Sequence, residues 1–161
     1  MTEFPSAAAV VVPPVVHWDE VRPEWIDYNG HMNVAYYVLV FDRGTDALFD
    51  RLGIGEEYRV RTGRTLFAVE SHVAYLAEAT LGERVRVESG LIGVDDKRVH
   101  FMSRMFRADG RLAATYEALG LHVDLARRRA APFDAATRAR LAAAVSPLPP
   151  EAGRAIAALG Q

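Results

Sequence analysis

Apolar positions fall at helical spacing most clearly between residues 34 and 52. Val34, Tyr37, Val38, Phe41, Thr45, Leu48, Phe49 and Leu52 recur at i, i+3, i+4 and i+7 intervals, which predicts a helix over 34–52. Gly53 is placed to end it. The second half has a polar face of Asp42, Arg43, Asp46 and Asp50. The first half has none, because Ala35, Tyr36, Leu39 and Val40 fill the opposite side. A helix apolar all round is covered on all sides. This one is therefore expected to start inside the protein, or inside an oligomer interface, and to run outward.

The rest of the chain reads mainly as strand. "VVHWDEVR" (15–22) is β-branched and partly alternating, and Pro23 ends regular pairing. After a polar segment (55–64) come four strand-like stretches, 65–76, 83–94, 97–108 and 111–125. They are joined at Leu81–Gly82, Asp95–Asp96 and Asp109–Gly110. Asp-Gly between two strand patterns is a hairpin signal. "RLAATYEALGL" also suits a helix by propensity, but a helix would have to follow that tight turn directly, so strand is preferred. Residues 1–13 are expected to be a flexible tail, 14–133 one domain, and 134–161 a peripheral Ala- and Arg-rich tail. "DAATRARLAAAV" within it forms a short helix capped by Asp134. One helix with four antiparallel strands after it predicts an α+β fold, a curved antiparallel sheet wrapped around the helix. The exposed sheet edge favours dimerisation by edge pairing.

Composition narrows the function. The 161 residues carry a net charge of -2 and no Cys. Nucleic-acid binding and a polybasic membrane surface are not indicated. Disulfides, thiolate metal sites and a Cys nucleophile are excluded. "AAAVVVPPVV" is too short to span a bilayer and lacks the basic flank of a secretory signal, so a cytoplasmic protein is expected. G-x-S-x-G, P-loop, G-x-G-x-x-G and H-E-x-x-H patterns are missing. The five His are scattered, and no metal or other cofactor is expected.

The chemistry concentrates in "WIDYNGHMN" (25–33), at the mouth of the helix. First-turn N–H groups lack intrahelical partners and carry partial positive charge, so they can hold an oxyanion. Asp27 is near enough to act as general base or nucleophile. Gly30 permits close backbone approach, and Asn29, His31 and Asn33 can orient the acid, a water or the helix entry. That combination suits acyl transfer. The same residues also fit a purely structural role: Asn33 as helix cap, Asp27 or Asn29 in an Asx-turn, His31 as a turn residue.

"VRPEWIDYNGHMNVAYYVLVFDR", "VESHVAYLAEATLGERVRVES" and "HVDLARRRAAPF" together resemble the hotdog-fold acyl-CoA thioesterases of the 4-hydroxybenzoyl-CoA thioesterase type, over roughly residues 15–133. "DYNGHMN" is also similar to the Asp-x-Asn-x-His stretch of plant acyl-ACP thioesterases. That resemblance implies catalytic roles for Asp27, Asn29 and His31, and for Glu78 as a later acid of the same site; Glu70 is a neighbouring acid. "EWIDYNGHMNVAYYVLVFDR" and "LHVDLARRRAAPF" look most like the betainyl-CoA thioesterases of carnitine breakdown, in their stand-alone form. The resemblance implies a cofactor-independent acyl-CoA hydrolase, with the coenzyme A thioester as its substrate.

Substrate-binding positions are then Trp25, Tyr28, Gly30, Met32, Asn33, Tyr36 and Tyr75. The aromatics among them, with Tyr37, are candidates to cage a quaternary ammonium. Lys97, Arg98, Arg127 and Arg128 are candidates for the coenzyme A phosphates. A homodimer, or a dimer of dimers, is expected. Two rivals stand beside this reading. A hotdog hydratase or dehydratase would release no thiol from acyl-CoA. A non-catalytic acyl-CoA-binding module would be stabilised by CoA esters without turning them over.

Overall fold

The computed structural model describes residues 12–147, 149–153, 156–157 and 159. The expected tail 1–13 therefore lies almost wholly outside the described residues. Strand β1 spans Val15–Glu20, and a single 3-10 turn covers Pro23–Trp25. Helix α1 is Val34–Leu52, as its spacing predicts. Asn33 begins it, its side-chain oxygen accepting the Ala35 N–H at 3.0 Å. Gly53 ends it with φ 70°, a left-handed conformation that costs glycine little.

Helix α2 (Glu56–Thr62) precedes four long strands: β2 (Arg64–Tyr75), β3 (Arg84–Val94), β4 (Arg98–Phe106) and β5 (Leu112–Asp124). A short β6 (Arg129–Ala130) and helix α3 (Ala135–Ala143) follow. "RLAATYEALGL" is thus strand, entered through Gly110 at φ +82°. Helix α2 lies inside the segment expected only to be polar. Of its seven residues only Tyr58 is buried, so it carries almost no apolar period to read.

All strand pairing is antiparallel, in the order β1-β3-β4-β5-β2 with β6 on β5. The sheet curls around α1. The helix turns Tyr37, Val40, Phe41, Gly44, Thr45, Leu48 and Leu52 inward. Val85, Val87, Phe101, Met105, Ala114 and Tyr116 meet them from the sheet. Gly44 lets helix and sheet approach: a Cβ there would stand 2.8 Å from Val87 Cγ1. The C-terminal helix is tied to this core, with Leu141 fully buried and Arg140 Nε donating to Leu52 O at 3.0 Å.

The other side of α1 is open. Val34 is 55% exposed, and Val38 and Leu39 are exposed beside it. Strand β2, at the sheet edge, is exposed on both faces from residue 67 to residue 72. The helix therefore does not begin inside the protein. Among the described residues nothing covers this side of its first turn.

Candidate active site

Between Trp25 and α1 the chain folds into a small loop closed by an Ile26–Met32 bridge. The Asp27 N–H donates to His31 O at 3.1 Å and the Gly30 N–H to Asp27 O at 3.0 Å. Gly30 makes the turn at φ +83°, where a side chain would be strained. The loop is anchored from outside by Met32 N–H to Ala79 O (2.8 Å) and Asn33 N–H to Trp25 O (2.9 Å).

These bonds hold the acid in place. Asp27 Oδ1 accepts the Asn29 N–H at 2.8 Å, and Oδ2 faces Asn33 Nδ2 at 3.4 Å. The cap and the Asx-turn of the structural reading are both present, and the same bonds aim Asp27 at the start of α1. Ala35 N–H is taken by the Asn33 side chain and Tyr36 N–H by Asn33 O. Among the described residues, that leaves the Val34 N–H as the first-turn donor without an acceptor. His31 presents Nε2 to Glu78 Oε1 at 3.6 Å. Asp27, Asn29, His31 and Glu78 thus come together around one helix end.

Glu78 is positioned by a residue that periodicity reads as core. The Tyr37 hydroxyl donates to Ala77 O (3.1 Å) and accepts the Ala79 N–H (2.9 Å), bracketing Glu78 on both sides. Burial, and more weakly the Glu78 charge, hold the Tyr37 phenol above its ordinary pKa, so it stays a neutral donor.

The expected substrate surface needs correction. Trp25 and Met32 are core residues, 3% and 1% exposed. Trp25 stacks on Tyr36 (5.4 Å between centroids), and the Arg22 and Arg43 guanidiniums already lie over its ring. Arg43 is itself paired with Asp19, whose carboxyl it helps hold below the usual range against the opposing effect of burial. Tyr28 stands 98% exposed. No cage of five aromatics forms, because the buried rings are occupied with one another and with arginines. Tyr75 remains, its hydroxyl donating to Val34 O at 3.4 Å.

The candidate coenzyme A residues are elsewhere. Tyr75 pairs with Ala114, whereas Arg98 pairs with Leu121, seven residues along β5. At about 3.3 Å per residue that separation is roughly 23 Å. Lys97, Arg98, Arg127 and Arg128 therefore gather at the opposite end of the sheet from Asp27, and Arg98 is tied to Asp95. Glu70 is exposed at the β2 bulge. A separate cleft of about 400 Å³ opens between the second half of α1 and β2. Asp46 in it is held above the usual carboxylate range by burial and by Asp42, Asp50 and Glu56. Neither Asp27 nor His31 lines it.

Comparison with known proteins adds the following. Residues 21–141 match the model of the thioesterase-like superfamily. The betainyl-CoA thioesterase of Pseudomonas aeruginosa is 39% identical over 142 residues, 84% of this chain and 89% of that protein. A fused L-carnitine dehydrogenase/betainyl-CoA thioesterase of Agrobacterium fabrum is 37% identical over 89% of this chain but only 30% of its own length. A Staphylococcus aureus protein solved in complex with CoA superposes with a TM-score of 0.81 at 28% identity, over 94% of this chain and 99% of that one. A candidate thioesterase of Pseudomonas putida KT2440 superposes at 0.74 with 36% identity, over 89% of this chain and 96% of that one. The fold is the hotdog fold.

Proposed function

We propose that this chain, which belongs to the thioesterase-like superfamily and is an acyl-CoA thioester hydrolase, works with Asp27 as its acting acid at the head of α1. The thioester carbonyl accepts the Val34 N–H, whose position at the positive end of the helix stabilises the developing oxyanion. Asp27 takes a proton from a water that adds to the carbonyl and passes that proton to the leaving sulfur, or Asp27 attacks the carbonyl itself, and the mixed anhydride left after C–S cleavage is hydrolysed by water to the free acid and the Asp27 carboxylate. On either route the C–S bond breaks, and coenzyme A leaves as thiolate and is protonated. Asn29 and Asn33 fix the carboxylate, and His31 with Glu78 orients the water. No metal or cofactor takes part.

The observation that carries this reading is the juxtaposition of a bonded, aimed carboxylate with a first-turn amide that has no acceptor among the described residues. The names of the relatives favour betainyl-CoA as the acyl donor, in carnitine catabolism; a cytoplasmic location belongs to the same proposal. Two copies paired along β2 and the open side of α1 form the working homodimer. Release of free thiol from betainyl-, short-chain and aromatic acyl-CoA esters tests the function. Turnover is expected with betainyl-CoA best. Binding without thiol release would instead indicate a hydratase or a binding module.

A further inference from the structure

A betainyl group places its quaternary ammonium one methylene from the thioester carbonyl. Whatever recognises that cation must therefore sit beside the first turn of α1. A methylated ammonium donates no conventional hydrogen bond. It is recognised by aromatic faces and by negative charge.

The structure leaves few groups that qualify. Trp25 is buried with guanidiniums over its ring, Tyr36 is stacked on Trp25, and Tyr28 is almost fully exposed. Tyr75 is 46% exposed and bonded to the first-turn carbonyl of Val34. Glu78 is exposed, and among the described residues its ion-pair neighbour is His31 rather than an arginine. That is notable in a chain with eighteen Arg and one Lys, where Glu83, Glu88, Asp19 and Asp95 are each paired to a guanidinium.

One buried side chain touches the Tyr75 ring and the backbone on either side of Glu78. The ring of Tyr37 lies perpendicular to that of Tyr75 (5.3 Å, 88°) and supports it from below. Its hydroxyl bonds the residues on either side of Glu78, at 3.1 and 2.9 Å. These contacts hold the Tyr75 ring and the backbone that carries Glu78 before substrate arrives, which lowers the ordering cost of binding.

We infer that Tyr75 and Glu78, braced together by Tyr37, form a seat for a quaternary ammonium and select a cationic acyl group over a neutral one of the same shape. The inference rests on the proposed hydrolysis at Asp27. It adds that the discrimination is by charge, at residues outside the Asp27 loop.

The test compares betainyl-CoA with 3,3-dimethylbutanoyl-CoA, in which carbon replaces the ammonium nitrogen and shape is kept while charge is lost. Thiol release is followed on the full chain for both esters. Because the ammonium also activates the carbonyl inductively, every kcat/KM is taken relative to that ester's own rate of uncatalysed hydroxide hydrolysis; on that scale the wild type is expected to favour betainyl-CoA by at least about tenfold, given a contact of this type with ring and carboxylate together. Tyr75→Leu and Glu78→Gln are each expected to pull this ratio between the two esters toward one, whatever they do to absolute rates. Tyr75→Phe keeps the ring and is expected to keep most of the preference. Equal wild-type values for the two esters on that scale overturn the seat and leave the hydrolase standing, and that comparison needs no variant to fold. A preference that survives both Tyr75→Leu and Glu78→Gln places recognition elsewhere and also overturns it. Hydrolysis of neither ester, when other acyl-CoA esters are cleaved, removes betainyl-CoA from the proposed function and the seat with it.

Discussion

Asn33 has two tasks at the head of α1. Its oxygen caps the helix through Ala35 N–H, and its amide nitrogen faces Asp27. Replacement by Asp keeps a capping oxygen but sets a second carboxylate against Asp27 in place of a donor. Asn33→Ala should lose about 1 kcal/mol of cap energy, which for a chain of this size lowers the thermal midpoint by roughly 2–4 °C. Asn33→Asp should keep the midpoint near that of the wild type yet lose turnover. Unfolding scans beside thiol-release assays check this, and equal turnover in wild type and Asn33→Asp contradicts the positioning role. Much of the site was legible at this scale. Asp27, Asn29, His31 and Asn33 share one loop, so their sequence proximity is also spatial proximity. Nearness in sequence does not say which way a side chain turns: Met32 and Trp25, expected at the substrate surface, both turn into the core. Tyr37 was read as core, which it is; its hydroxyl's grip on residues forty positions away left no trace in the spacing.

Helix α2 is held to the sheet by a polar contact. The Tyr58 hydroxyl meets His122 Nε2 at 2.9 Å, and His122 Nδ1 donates to Ala131 O at 2.7 Å. The imidazole is fully bonded as the neutral tautomer, and burial, the largest influence, pushes its pKa below the ordinary 6.5. The unfolded chain therefore takes up this proton more readily than the folded one. Its neutral form contributes fully above pH 6.5, and stability is lost as pH falls from there toward the depressed folded value. His122→Gln should show a shallower loss of unfolding free energy between pH 7 and pH 5, measured by urea titration. An unchanged slope would mean that His122 is not the group responsible. The long elements were readable for two reasons: α1 buries one helical face and matches its expected limits, and β3 to β5, with β4 and β5 buried on both faces, are long apolar stretches set off by tight turns and match to within a few residues. Helix α2 was not, since one buried tyrosine in seven residues makes no period. Its anchor is a His on β5, sixty-four residues away.

Taken as one molecule, the chain has an unfinished side. Val34, Val38 and Leu39 on α1 and Phe67, Val69 and Tyr75 on the edge strand β2 are all exposed, and Tyr75 reaches across to Val34 O. An apolar face continuous with an unpaired edge is rarely left to solvent. Sedimentation should show a dimer, and Val38→Asp with Leu39→Asp should shift it to monomer; a monomeric wild type at micromolar concentration contradicts the pairing. The apolar residues all round the start of the helix predict a cover that the described residues of one chain do not supply, and the dimer proposed here would supply it. The account as a whole turns on Asp27. Thiol release from acyl-CoA by Asp27→Asn, with folding checked by circular dichroism, tests it most directly. The expected result is a folded protein whose kcat falls by at least roughly a hundredfold. A folded variant that cleaves the thioester at near the wild-type rate contradicts it.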